Sequence, residues 1–132
     1  MEAASEKPRI EKQLEDLLSF LETLPEIQGA AIVRRDGLMV AALLPKEIDG
    51  KTVAAMSAAL VGTAETCSAE LQLGRFLQIA VEAEKGKLIA TGAGSFALLI
   101  CLVSDKANLG LVLLEMGRVA NRVSQVLEGG TL

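Results

Sequence analysis

The chain has 132 residues, which is enough for one domain and short for two. Its residues are 51% hydrophobic but only 2% aromatic, with neither Trp nor Tyr, so the aromatic platforms on which single-stranded nucleic acids stack are missing. A net charge of −4 argues against a general nucleic-acid or anionic-membrane partner, because phosphate binding needs a basic surface.

Three features predict a cytoplasmic protein. The N-terminal segment is charged and lacks the apolar core of a signal peptide. The longest apolar run, residues 96–103, is much shorter than a membrane span. Cys67 and Cys101 lie in apolar surroundings without a Cys-x-x-Cys motif, and we predict that both are buried, reduced thiols.

A helix is predicted over residues 10–24, since apolar residues recur there at helical spacing and Pro25 ends the pattern. We therefore divide the chain into a flexible N-terminal tail (residues 1–9), one domain (10–128) and a C-terminal tail (129–132). A β-hairpin follows the helix. Asp36-Gly37 lies between two apolar runs and favours a type I′ turn joining strands at 29–35 and 38–44.

Asp49 is the predicted N-cap of a long middle helix over residues 50–73, and Gly74 is the predicted C′ residue after its end. Residues 76–84 form the next predicted strand. Its apolar residues alternate with polar ones, which indicates one dry face and one polar face; the apolar set is Leu77, Ile79, Val81 and Ala83.

Residues 95–103 are apolar on both faces, which is typical of a central strand, and Lys85-Gly86 marks the turn between the two preceding strands. Asn108 caps a last helix that we expect to end at about residue 127. Its apolar stripe consists of Val112, Met116, Val119, Val123 and Val126 or Leu127. The resulting order, α-β-β-α-β-β-β-α, predicts an α+β fold: an antiparallel sheet with helices on its faces.

The middle helix is apolar nearly all round. One stripe is predicted to face the sheet: Val53, Met56, Leu60, Ala64, Cys67 and Leu71. The other sides carry small residues, and these allow a second helix to approach closely. We predict that a second copy of the chain packs there, with Ala55, Ala58, Gly62 and Ala69 in the interface. The alternative is that alanine was selected for helix propensity alone and is exposed.

The chemistry of common enzymes is missing. The chain has no His, which removes Ser–His, Cys–His and zinc–His sites. Carboxylates such as Glu82 and Glu84 lie on the polar side of a predicted strand, where solvation explains them. We predict no catalytic residues, no metal and no cofactor.

Two short motifs imitate nucleotide-binding loops. Gly50-Lys51-Thr52 resembles the end of a Walker A loop, but Pro45 stands where the first glycine should be. Residues 92–97 match Gly-x-Gly-x-x-Ala, but a strand pattern follows them where the dinucleotide fingerprint requires a helix. We interpret the second motif as a turn between antiparallel strands.

Four segments, in this order, resemble the Roadblock / dynein light chain family: GAAIVRRDGLMVAALLP, DGKTVAAMSAALVGTAE, QIAVEAEKGKLIATG and ANLGLVLLEM. The similarity covers residues 10–127 and points to the prokaryotic Roadblock domains encoded beside Ras-like GTPases, such as a gliding-motility GTPase regulator. It implies a profilin-like, five-stranded antiparallel sheet with the first and last helices on one face and the middle helix on the other.

The resemblance also implies a dimer that pairs through the middle helices and an edge strand. That strand would be residues 76–84, so Phe76, Gln78 and Glu82 join the predicted interface. The partner would be a second copy or a related Roadblock domain.

Some members of this family bind a Ras-like GTPase without inserting an arginine. If that mode applies, the GTPase would contact Lys51, Glu65, Ser68 and Gln72 on the exposed rim of the middle helix. Arg34 and Arg35, beside the Asp36-Gly37 turn, are expected to be solvated charges. Two alternatives stay open: a scaffold or light-chain-like adaptor with no effect on GTP hydrolysis, and a small-molecule sensor.

Overall fold

The computed structural model describes residues 2–129 of the chain, with side chains from residue 8 onward. The elements are α1 (Glu2–Glu22), β1 (Ile27–Arg34), β2 (Met39–Leu43), α2 (Gly50–Glu70), β3 (Gln78–Ala83), β4 (Gly86–Ala93), β5 (Ala97–Ser104) and α3 (Leu109–Ser124), followed by a π-helical turn (Gln125–Gly129). This confirms the predicted order of elements.

The five strands form one antiparallel sheet in the order β2-β1-β5-β4-β3. β5 is central, as predicted, because its side chains are apolar in both directions. Leu98 and Ile100 pack on the α2 side, whereas Leu99 and Cys101 pack on the side of α1 and α3. The predicted layers, two helices on one face and one on the other, are therefore confirmed.

α1 begins earlier than its apolar pattern. The helix starts at Glu2 and includes Pro8, so the boundary predicted at residue 10 does not coincide with a helix end. Leu14, Leu18 and Leu21 are fully buried against the sheet and α3. At the other end of the chain, Gly129 belongs to the π-helical turn, and residues 130–132 of the predicted tail lie outside the described residues.

The β1–β2 turn is not of type I′. Gly37 has φ +94°, but Asp36 is not in the positive-φ region. The Gly37 N–H donates to the Arg34 carbonyl (2.9 Å) and the Arg34 N–H donates to the Leu38 carbonyl (2.8 Å). This is a three-residue loop, a type I turn followed by a left-handed glycine that forms a bulge. The prediction of a hairpin was right and its turn type was wrong.

α2 has the predicted N-cap but a different C-terminal cap. The Asp49 carboxylate accepts hydrogen bonds from the Lys51 N–H (3.2 Å) and the Thr52 hydroxyl (2.7 Å). At the other end both Gln72 (φ 55°) and Gly74 (φ +91°) have positive φ, but Gln72, not Gly74, is the C′ residue. The Leu73 N–H donates to the Ser68 carbonyl and the Gln72 N–H to the Ala69 carbonyl, which is a Schellman motif.

The stripe of α2 that faces the sheet is not the predicted one. The buried residues are Val53, Ala54, Ser57 and Val61, whereas Met56, Cys67 and Leu71 are exposed and Leu60 and Ala64 are half-buried. Because the helix is apolar all round, periodicity could not choose the buried side. The small side chains of Ala54 and Ser57 let the helix lie close to the sheet, where its cluster includes Ala31 and Val33 of β1.

β3 differs from prediction in the same way. Only Ile79 of the predicted dry face packs against the core; Leu77, Val81 and Ala83 are exposed. β3 is an edge strand and pairs with β4 alone. No second layer within the described chain covers it fully.

The last helix follows its prediction closely. The Asn108 side chain accepts from the Leu111 N–H at 3.2 Å, and Val112, Met116, Val119 and Val123 are buried. Val126 and Leu127 are only partly buried. The α-helical part ends at Ser124, and the π-helical turn replaces the final turn that was expected to reach residue 127.

Candidate interaction surface

The outer side of α2 and the neighbouring β3 form an apolar surface. A groove of about 640 Å³ lies between them, lined by Met56, Ala59, Leu60, Thr63, Ala64, Cys67 and Ile79. The Met56 side chain is 50% exposed and Val81 of β3 is 41% exposed. Soluble monomers seldom leave a large contiguous apolar patch in water, so this surface is suited to a protein partner.

The residues of α2 on this surface are small, or their polar groups are hydrogen-bonded within the helix. A Cβ atom built on Gly62 would meet no atom within 4 Å, so this glycine faces open space. The Thr63 and Thr66 hydroxyls donate to the carbonyls of Ala59 (2.9 Å) and Gly62 (3.1 Å), four residues earlier. Their polar groups are thus satisfied within the helix and need no water.

The structure separates the predicted interface residues into two sets. Ala55, Gly62 and Ala69 are exposed on α2, and Gln78 and Glu82 are exposed on β3. Ala58 and Phe76 are half-buried within the chain: Ala58 lies beside Gly37 of the β1–β2 turn, and Phe76 packs against the core under α2. Sequence reasoning assigned Met56, Leu60 and Cys67 to the sheet side and so missed them here.

The predicted GTPase-contacting residues do not form one cluster. Lys51 and Gln72 are exposed at opposite ends of α2, whose length is about 30 Å. Ser68 is half-buried and its hydroxyl donates to the Ala64 carbonyl at 2.9 Å. Glu65 is held by Arg35 at 2.7 Å, so its carboxylate already has a cationic partner.

The two arginines beside the turn differ. Arg34 pairs with Asp36 at 2.6 Å and is more than half exposed, as expected for a solvated charge. Arg35 is only 31% exposed, and besides Glu65 it donates to the Gly94 carbonyl at 3.3 Å. It therefore ties the β1–β2 turn to α2 and to the end of β4, a role that its sequence position did not indicate.

Neither nucleotide-like motif forms a phosphate site. The Asp49 carboxylate occupies the N-terminus of α2, where a Walker A phosphate would lie. The Thr52 hydroxyl, followed by the Lys51 N–H, stabilises the ionised form and lowers the pKa of Asp49. Gly94, with φ +81°, lies in the turn between β4 and β5, and a strand follows where a dinucleotide site needs a helix.

The cysteines have different environments, so the prediction that both are buried is wrong for Cys67. Cys67 is exposed on α2, whereas Cys101 is buried in β5 and burial raises its pKa to about 12.

Within the described part of the chain, no group of His, Cys, Asp or Glu could hold a metal ion. Over the same residues, no helix has the length and apolarity needed to cross a bilayer.

Comparison with known proteins gives the class. Residues 13–103 match the model of the Roadblock/LC7 domain. The uncharacterized protein MJ0714 of Methanocaldococcus jannaschii is 34% identical over 114 residues, 86% of this chain and 96% of that protein. The chain therefore belongs to the Roadblock/LC7 domain family.

Solved structures agree. A structure of MglB with a tetrameric arrangement superposes with a TM-score of 0.81 and 25% identity, covering 91% of each chain. The gliding protein MglB of Thermus thermophilus gives a TM-score of 0.80 and 25% identity, covering 91% of this chain and 92% of that one. Profilin II of Acanthamoeba castellanii, at 16% identity and a TM-score of 0.52, covers 82% of this chain and 90% of its own and shares the fold alone.

Proposed function

We propose that this Roadblock domain is a non-enzymatic, homodimeric platform that binds and regulates a Ras-like small GTPase. The observation that carries the proposal is the apolar outer side of α2 next to the open edge of β3. The partner class comes from the resemblance to Roadblock regulators of GTPases and from the likeness to MglB. The complex would act in the cytoplasm.

The dimer would cover both exposed features at once. Two copies of α2 can approach closely across Gly62, because no described residue occupies the space in front of it. β3 presents an unpaired edge, and two antiparallel β3 edges related by a two-fold axis would continue the sheet from one copy to the other. Gln78 and Glu82 on β3 would then lie near the partner copy.

Size-exclusion chromatography with light scattering tests the dimer through two glycine variants. Gly62→Leu is expected to give a monomer, since the leucine fills the space that a second helix needs. Gly117→Leu in α3 is the matched control: its Cβ also meets no atom within 4 Å, but it lies on the opposite side of the sheet. The control should stay dimeric. A dimeric Gly62→Leu variant, or a monomeric wild-type protein, would contradict the proposed interface.

Binding to the GTPase is tested with a Ras-like GTPase encoded next to this chain, loaded with GDP or with a non-hydrolysable GTP analogue. We expect retention of one nucleotide form, weakened by Lys51→Glu on α2 and unchanged by Lys12→Glu on the far face of the molecule. Retention of neither form would exclude GTPase binding.

A time course of GTP hydrolysis separates a regulator from a scaffold. We expect the rate to change when the wild-type dimer is added and to stay at its basal value when the Lys51→Glu variant is added. Binding without any change in rate would instead identify a light-chain-like adaptor.

A further inference from the structure

A second cavity lies at the N-terminal end of β3. It is a cleft of about 560 Å³, within the range of small-molecule sites. Its walls come from five separate places: residues 75–77 before β3, the end of β4, the C-terminal half of α3, Arg35 in the β1–β2 turn, and Glu65 of α2. β3 pairs with β4 only as far as the Gln78–Thr91 register, so Gly92 has no β3 partner and borders the cleft.

Two arginines line the cleft. Arg35 reaches in from the β1–β2 turn, and Arg75 is exposed at the rim. A Cβ atom on Gly92 would lie 3.2 Å from an Arg35 guanidinium nitrogen, so glycine makes room for that group. Glu65 is the one carboxylate in the described lining and is paired with Arg35, which leaves the Arg75 guanidinium without a carboxylate partner among the described lining residues.

The opposite wall is formed by α3, which leaves space at Gly117. Gly117 lies in the interior of α3, where glycine is less favourable than alanine, yet a Cβ atom there would meet nothing within 4 Å. Packing within the chain therefore does not require glycine at this position. Asn121, one turn further, adds an amide to the same wall, and Phe76 and Leu77 add apolar surface.

The neighbouring hydroxyls and the neighbouring carboxylate are already engaged. The Thr91 hydroxyl donates to the Leu77 carbonyl at 2.9 Å. Glu128, just outside the lining, accepts from the Ser95 N–H (2.9 Å) and the Ser124 hydroxyl (3.2 Å). Among the described residues, the donors left without an acceptor are thus the Arg75 guanidinium, the remaining N–H groups of Arg35 and the Asn121 amide.

We propose that this cleft binds a small organic anion, a single carboxylate attached to an apolar group. Guanidinium groups match the planar geometry of a carboxylate, and the Arg75 guanidinium is the one in the described lining that no lining carboxylate engages. The apolar body would lie between Phe76, Leu77 and Ala120. This site is separate from the apolar groove between α2 and β3, and it does not depend on GTPase binding.

The test is a titration of the full chain by ¹H–¹⁵N NMR, following the amides of Gly92, Gly94 and Gly117. The probe is 3-phenylpropionate, compared with its neutral analogue 3-phenylpropanamide and with inorganic phosphate. We expect saturable shifts at these amides with the carboxylate, at a Kd of about 1 mM or lower, and affinity about tenfold weaker or undetectable for the amide and for phosphate.

Three variants make the test specific. Arg75→Gln and Gly117→Leu should abolish the shifts, because the first removes the free cation and the second fills the cleft. Arg118→Gln, an exposed arginine elsewhere on α3, should change nothing. Equal binding of the neutral analogue, tighter binding of phosphate, or full binding by Arg75→Gln would overturn the proposal.

A fourth variant, Gly62→Leu, tests whether the cleft depends on the proposed dimer. Retained binding in this variant would show that the cleft functions without the dimer. Loss of binding would place the site at the dimer interface and overturn its independence.

Discussion

Ser57 is a polar residue in an apolar contact. It lies on the buried side of α2, fully enclosed, and its hydroxyl has no hydrogen-bond partner among the residues that the structure describes. A buried donor without a partner costs free energy, since it lost its water on folding and gained nothing in exchange. The position needs a small side chain rather than a hydroxyl, because α2 lies close to the sheet there.

We therefore expect Ser57→Ala to raise the free energy of unfolding by about 1 kcal/mol in urea denaturation. Ser68→Ala on the same helix is the control. Its hydroxyl already donates to the Ala64 carbonyl, so removal of that group should give no gain. A loss of stability in Ser57→Ala would mean that the hydroxyl makes a contact not seen in this structure.

Cys101 makes a pH-dependent contribution to stability. Burial raises its folded-state pKa to about 12 from an ordinary value of 9.0, so the folded state holds the thiol proton more tightly than the unfolded state. The stability from this group is complete below pH 9 and decreases as the pH rises toward 12, by at most about 1.4 kcal/mol per pH unit.

Unfolding in urea between pH 8 and pH 11 tests this, with Cys101→Ala for comparison. The variant is less stable at pH 8, because it leaves a cavity, but its stability should decrease less steeply with pH. Parallel pH dependences would show that Cys101 is not the group responsible. A thiol-reactive dye should label Cys67 in the monomeric Gly62→Leu variant and Cys101 only after unfolding.

At the scale of the element, the two ends of α2 are capped in different ways. Its N-terminus has a carboxylate cap, which the sequence indicated through Asp49. Its C-terminus places Gln72 in the left-handed region, a conformation that favours glycine because a Cβ crowds the backbone there. Gly74 could not take that role, since the hydrogen bonds of the Schellman motif close two residues earlier.

Gln72→Gly should therefore stabilise the chain by about 0.5–1 kcal/mol, visible as a higher midpoint of thermal or urea unfolding. Gln72→Ala keeps a Cβ in the same conformation and should leave the midpoint nearly unchanged. If the glycine variant were instead less stable, the left-handed conformation at residue 72 would not persist in solution.

At the scale of the whole molecule, the outer side of α2 and the edge of β3 are the parts of the fold that one copy leaves uncovered. If a second copy covers them, folding and association are linked and stability depends on protein concentration. The thermal midpoint of the wild-type chain should then rise as its concentration rises. Gly62→Leu should show a lower midpoint that does not change with concentration. A concentration-independent wild-type midpoint would contradict an obligate dimer.

Local patterns predicted much of the fold. The alternation of apolar residues, the caps Asp49 and Asn108 and the two-sided apolar character of β5 depend on neighbours in sequence, so the sequence was sufficient to find them. The candidate site was predicted less well. Gly62 lies on an exposed side of α2 and β3 is an edge strand, which the resemblance to the family implied, but Met56 and Cys67 were assigned to the wrong side of α2, and the cleft beside Arg75 was not anticipated.

The sequence by itself determined the order of the elements, the central strand and the presence of an apolar surface on α2. The tertiary structure alone decided which side of α2 is buried, which cysteine is exposed, and that residues 75–77, Gly92 and Gly117 border one cleft. The physical reason is that a helix apolar all round has no preferred side until a sheet of definite shape packs against it. A cleft built from several distant segments likewise has no local signal in the sequence.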